Sequence, residues 1–351
     1  MPLGRIGQQG AAATLLVALG AIGFLALRAR GSSRAATVPS CLTNPGATLG
    51  CYEQYYGSIV TQTSVADAFT QLKARYAGDP DAQRLCHAIT HAIGRAAAQK
   101  YGDVAEAFQY GDNFCGSGYY HGVLQGIALS MGREALSSDL DAVCAGIPGK
   151  ERRSLDYYNC VHGLGHGIMA VTGDDLFDAL RGCDGLTGSM EESACANGVF
   201  MENVIVDGAH GGHYSRYLKP TEPLYPCTAV DGKYKDACLD IQTSYALGAV
   251  QGDFSKVFAL CAKLQAPYRT TCYRSLGRDA ATTGLNQVPG TLAACGRGTG
   301  REQRSNCIIG AALDFAYYYH SDVQAKALCA AADPGVRQDC LAATAKLVGL
   351  F

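Results

Sequence analysis

The chain has 351 residues, 16 of them cysteine and none tryptophan, and its 29 basic residues nearly balance 31 acidic ones for a net charge of −2. Such a balance leaves no basic footprint for a nucleic acid, so nucleic acid is not expected as a partner. Sixteen cysteines without CxxC pairs or CxxCH haem spacing argue against a cytosolic enzyme, a zinc ribbon or a c-type cytochrome, and point to an oxidising compartment.

Residues 1–40 supply the route there. Residues 10–27 form an apolar run rich in Ala, Leu and Gly, with Arg5 before it and Arg28, Arg30 and Arg34 after it. Roughly 18 apolar residues is close to the lower limit for a membrane-spanning helix, and the arginines beyond the run leave no clean small-residue cleavage site, although Ser33-Arg34-Ala35 could serve. The segment reads as a signal peptide or a retained signal anchor, with the body exported and either held at the cell-surface membrane through residues 10–27 or secreted. The arginines after the run oppose this orientation under the positive-inside rule. Sixteen thiols at paired spacing outweigh that imbalance.

Residues 41–80 read as an N-terminal cap carrying a small clip, Cys41–Cys51, around Asn44-Pro45-Gly46. Gly102-Asp103-Val104 opens a short helix that resembles Gly252-Asp253-Phe254 further along, yet it lacks a cysteine at its end. By elimination Cys86 pairs with Cys115. From Cys144 onward the cysteines fall in couples: Cys144–Cys160, Cys183–Cys195, Cys227–Cys238, Cys261–Cys272, Cys295–Cys307 and Cys329–Cys340. The second members recur in steps of 35, 43, 34, 35 and 33 residues, the period of stacked helical hairpins. The fold expected is therefore all-α, an α-solenoid of helical hairpins, each with one short-range disulfide joining the end of helix A to the start of helix B. Gly173-Asp174-Asp175, Gly252-Asp253-Phe254 and Ser321-Asp322-Val323 read as starts of A helices. Gly118, Gly122, Gly163, Gly167, Gly198 and Gly310 fall three or seven positions after a B-helix cysteine, on the side where small residues let helices approach closely.

Seven of the eight histidines lie between His87 and His213, so residues 81–215 read as the functional half and residues 216–351 as a His-poor repeat half. His87 and His91 are four apart on one B helix, as are His162 and His166 on another, and His121 has the same offset from Cys115 that His166 has from Cys160. Each i,i+4 couple can present two imidazoles to one ion. Helical phase sets the first couple about 100° away from the second. Convergence therefore requires the first hairpin to be turned, as the irregular Cys86–Cys115 link allows. Glu202, seven positions after Cys195, is the carboxylate expected beside them, as a ligand or as a catalytic general base.

This donor set suits Zn, Fe, Cu or Mn; Met169 and Met201 would tilt the choice towards copper, but apolar Met is more often core filler, and the metal stays open. His210 and His213 lie in the insertion that stretches one repeat step to 43, as an exposed loop or as further ligands. His320 reads as an ordinary helix-end residue. The function expected is that of an extracytoplasmic metal-binding protein, a metal-dependent oxidoreductase or hydrolase. The alternatives are a scaffold whose concave face binds a peptide, glycan or protein through Tyr119, Tyr120, Tyr157 and Tyr158, and a metal-storage or delivery protein. No nucleophile elbow, Walker loop, HExxH or dinucleotide fingerprint is present.

Overall fold

The computed structural model describes residues 42, 49–209, 215–319 and 321–348. The expected anchor, Cys41, His210, His213 and His320 lie outside the described residues. Among the described residues there are sixteen helices and no strand, and no helix is long and apolar enough to cross a membrane.

Two N-terminal helices, α1 (Leu49–Gln62) and α2 (Val65–Tyr76), precede the long α3 (Pro80–Tyr101). Asp79 caps α3 by accepting the backbone N–H groups of Asp81 and Ala82, Pro80 stands at its first turn, and Gly102 ends it at φ 72°. The expected start at Asp103 is the N-cap of α4 (Val104–Phe108). Then come α5 (Gly118–Ser138), broken at Gly132, α6 (Leu140–Val143) and α7 (Leu155–Val171). They are followed by α8 (Leu176–Cys183), α9 (Ser189–Ala209) and α10 (Gly232–Ala249). The last six are α11 (Phe254–Cys261), α12 (Tyr268–Thr283), α13 (Val288–Cys295), α14 (Arg301–Tyr319), α15 (Val323–Ala331) and α16 (Pro334–Val348). Asp175 and Asp253 cap α8 and α11 as expected. Asp322 takes the N-cap position of α15 without a side-chain cap, and Ser321 Oγ accepts from the Val323 N–H in its place.

Seven disulfides join the expected partners, from Cys86–Cys115 to Cys329–Cys340. Cys51 is disulfide-bonded as well. The bridges depart from expectation in two details. Each second cysteine from Cys160 onward sits four to six residues inside its helix rather than at the start, because the first turn of each B helix lies before it. Cys227 follows turns rather than an A helix, so that unit is a hairpin with one arm missing.

The long helices pack in chain order, α3 on α5, α5 on α7, α7 on α9, α9 on α10, α10 on α12, α12 on α14 and α14 on α16. Glycines set the spacing at three of these contacts. A Cβ at Gly94 would stand 2.0 Å from the Tyr119 carbonyl oxygen, and one at Gly122 would stand 2.0 Å from that of His91. The same reciprocal contact joins Gly165 to Gly198 and Gly277 to Gly310. Because a backbone oxygen cannot give way like the end of a flexible side chain, Gly122→Ala is expected to destabilise the fold by roughly 1 to 3 kcal/mol, the usual range for an overpacked core. Urea unfolding checks this, and an unchanged midpoint would show that the two helices can part at little cost.

Candidate metal centre

Three helices carry the histidines to one place. Their rings form a continuous cluster, with centroid separations of 4.8 Å for His87–His91, 5.3 Å for His87–His121, 5.0 Å for His91–His166, 4.5 Å for His121–His162 and 5.1 Å for His162–His166. The 100° phase difference is absorbed where α3 meets α5: the close approach at Gly94 and Gly122 and the Cys86–Cys115 bridge turn the first couple towards the other two helices. His91, His121, His162 and His166 are buried, and His87 is partly accessible.

Glu202 reaches the cluster from α9, buried, with Oε2 2.6 Å from His166 Nδ1. A carboxylate accepts, so His166 donates from Nδ1 and turns the lone pair of Nε2 inward. His87 is fixed in the same way, its Nδ1 2.8 Å from the Cys115 carbonyl oxygen. Histidines that ligate metals donate their other ring N–H to a carboxylate or a backbone carbonyl, which fixes tautomer and orientation. Within each couple the inward nitrogens lie close, 3.1 Å between the Nε2 atoms of His87 and His91 and 3.2 Å between those of His162 and His166. Two donors each about 2.0 Å from a tetrahedral ion stand about 3.3 Å apart, so both couples have the spacing of neighbouring ligands. His121 Nδ1 is buried without a hydrogen-bond partner, a polar atom that an ion would satisfy.

The six donors fall into three overlapping sets, His87-His91-His121, His121-His162-His166 and His91-His166-Glu202, each with its ligand atoms within 4.8 Å of one another. These buried groups could hold a metal ion. Burial also favours the neutral form of four of the imidazoles, the form that ligation requires. It pushes His87 down to about 4 and holds His91, His121 and His162 well below the ordinary histidine range, their mutual repulsion adding to the effect on the last three.

Reading the histidines alone misses the support behind them. Gln125 donates to Glu202 Oε1 at 3.1 Å, Arg95 Nη1 donates to Gln125 Oε1 at 2.8 Å, and Arg95 also pairs with Glu53. The signal was periodic, since Arg95 lies four residues after His91 and Gln125 four after His121, continuing the inward stripe of each helix. Met169 is buried in the apolar core, and Met201 packs against it, partly buried. Of the four tyrosines expected as contact area, Tyr119, Tyr120 and Tyr157 are buried, because they face neighbouring helices. Tyr158 alone is partly accessible, its ring stacked on His162 at 5.8 Å.

Comparison with known proteins found no matching family model, no matching characterised protein and no matching solved structure.

Proposed function

We propose that this is an extracytoplasmic metalloprotein whose five histidines and Glu202 bind a pair of transition-metal ions in adjacent positions. The observation that carries the reading is the outward anchoring of His87 and His166 through Nδ1, which leaves the Nε2 atom of each beside that of His91 or His162. Division of the donors into overlapping triplets supports two ions over one, because a single shell about 2 Å in radius would bring them all together. Because any two of the triplets share one histidine, each ion has two or three protein donors and keeps at least one coordination position open, the arrangement of catalytic rather than structural sites. That favours metal-dependent oxidation or hydrolysis, with Glu202 as ligand or base, over storage. Imidazole suits Zn, Cu and Fe, and the carboxylate admits Mn.

The seven disulfides support an exported location. Chain-order stacking of the long helices supports the α-solenoid reading, with a ligand or partner face on its inner side. Elemental analysis of protein purified from an oxidising compartment is expected to find about two equivalents of transition metal, removed by a strong chelator with a fall in melting temperature. One equivalent would make the centre mononuclear. Metal-free protein whose melting temperature ignores added Zn, Cu, Fe and Mn would overturn the reading.

A further inference from the structure

We propose that the Cys86–Cys115 disulfide is a redox-sensitive clasp that holds His87 in the metal centre, so that a dithiol reductant opens the site. The inference rests on the metal reading above and concerns its regulation.

This bridge differs from the other six observed in three ways that meet at one ligand. Cys86 is the chain neighbour of His87, and the Cys115 carbonyl accepts the Nδ1–H that orients the His87 ring, so both ends of the disulfide bear on the same imidazole. Among the described cysteines, Cys115 is the one that is not buried, and among the six donors of the centre His87 is the one that is not buried. Cys115 and His87 are therefore the least buried parts of the bridge and of the centre.

The turn that carries the carbonyl depends on being held. Cys115, Gly116 and Ser117 follow one another at φ 60°, 71° and 63°, left-handed conformations that Cys and Ser adopt when surrounding contacts impose them. Ser117 is tied independently, its Oγ 2.9 Å from Asn113 Oδ1 and 2.7 Å from the Tyr317 hydroxyl oxygen. Cys115 has the disulfide. Breaking it releases the carbonyl while the base of α5 stays in place, so the predicted change is confined to the His87 end of the centre.

The chemistry is thiol–disulfide exchange. One thiolate of the reductant attacks Sγ of Cys115, the less buried residue of the pair, and the S–S bond breaks with Cys86 leaving as a thiolate. The reductant's second thiolate then closes on the mixed disulfide and releases Cys115. Two electrons and two protons pass to Cys86 and Cys115, which end as thiols, and the dithiol ends as its own disulfide. With its orienting carbonyl free, His87 no longer presents a fixed lone pair to the triplet it forms with His91 and His121.

The test uses the full, disulfide-bonded chain loaded with zinc. Cys86→Ser/Cys115→Ser is compared with Cys329→Ser/Cys340→Ser, a bridge far along the chain from every histidine of the centre. Zinc affinity by competition with a chromogenic chelator is expected to fall about 10- to 100-fold at one of the two ions in the first variant, the usual effect of losing a ligand's orienting partner, and to stay at the wild-type value in the second. A second measurement needs no variant: graded reduction with a phosphine, followed by alkylation and mass mapping, is expected to modify Cys86 and Cys115 before any other pair, with zinc released at the same dose. The clasp is overturned if the first variant binds zinc like the wild type, or if zinc stays bound until other bridges open. Wild-type protein that takes up no zinc, copper, iron or manganese overturns the metal reading itself, and the clasp with it.

Discussion

Lowering the pH of the metal-free protein from about 7 to about 5 is expected to remove a few kcal/mol of stability, a large share of the margin of an ordinary domain. Burial holds His87, His91, His121 and His162 neutral in the folded state, with His87 pushed down to about 4 and the other three well below the ordinary range. Above about pH 6.5 these groups are neutral in both states and have no effect on folding through protons. Below it the unfolded chain binds protons that the folded site refuses, so stability falls with falling pH, by up to about 1.4 kcal/mol per pH unit for each histidine. The decline stops only when protons enter the folded site, near pH 4 for His87. The disulfides persist in the unfolded chain and keep it compact, so the transition should be reversible. Denaturant titrations of chelator-treated protein across this range test it, and a midpoint constant from pH 7 to pH 5 would mean that the cluster is open to water. Bound metal is expected to move the loss to lower pH, because ions and protons compete for the same lone pairs.

The sequence carried the fold because its markers were local. Caps at Asp103, Asp175 and Asp253 and cysteine spacings of 11 or 12 residues act within one hairpin, where chain connectivity fixes the partners. The five histidines were legible for the same reason, as i,i+4 couples and matched offsets. How they meet was not legible. It depends on how α3, α5 and α7 rotate about one another, which is decided where Gly94 and Gly122 bring backbones into contact, and no single-helix pattern encodes that. Gln125 and Arg95 lay on stripes already marked by histidines, but a polar residue on such a stripe reads as a solvated position until the opposite helix is seen to carry Glu202. The missing arm before Cys227 was hidden by its normal spacing to Cys238, since a disulfide loop of 11 residues closes as readily over turns as over a helix end.

His121→Ala is expected to abolish metal binding more completely than substitution of any other single histidine on the margin of the cluster. His121 belongs to two of the three donor sets, whereas His87, His162 and Glu202 each belong to one. Its ring also lies within 5.4 Å of His87, His91, His162 and His166, so it touches all four members of the two couples. Loss of an outer hydrogen-bond partner typically weakens a metal about 10- to 100-fold, and loss of a ligand itself should exceed that. The metal-free fold should tolerate the change far better. Removing the imidazole leaves a cavity, but it also removes a buried nitrogen that has no hydrogen-bond partner. One fewer depressed histidine should further make the metal-free variant less sensitive to acid than the wild type. The two readouts together separate ligation from packing: weaker metal binding with reduced acid sensitivity is the signature of a ligand. Metal content equal to that of the wild type, with a large fall in metal-free stability, would instead assign His121 to the core.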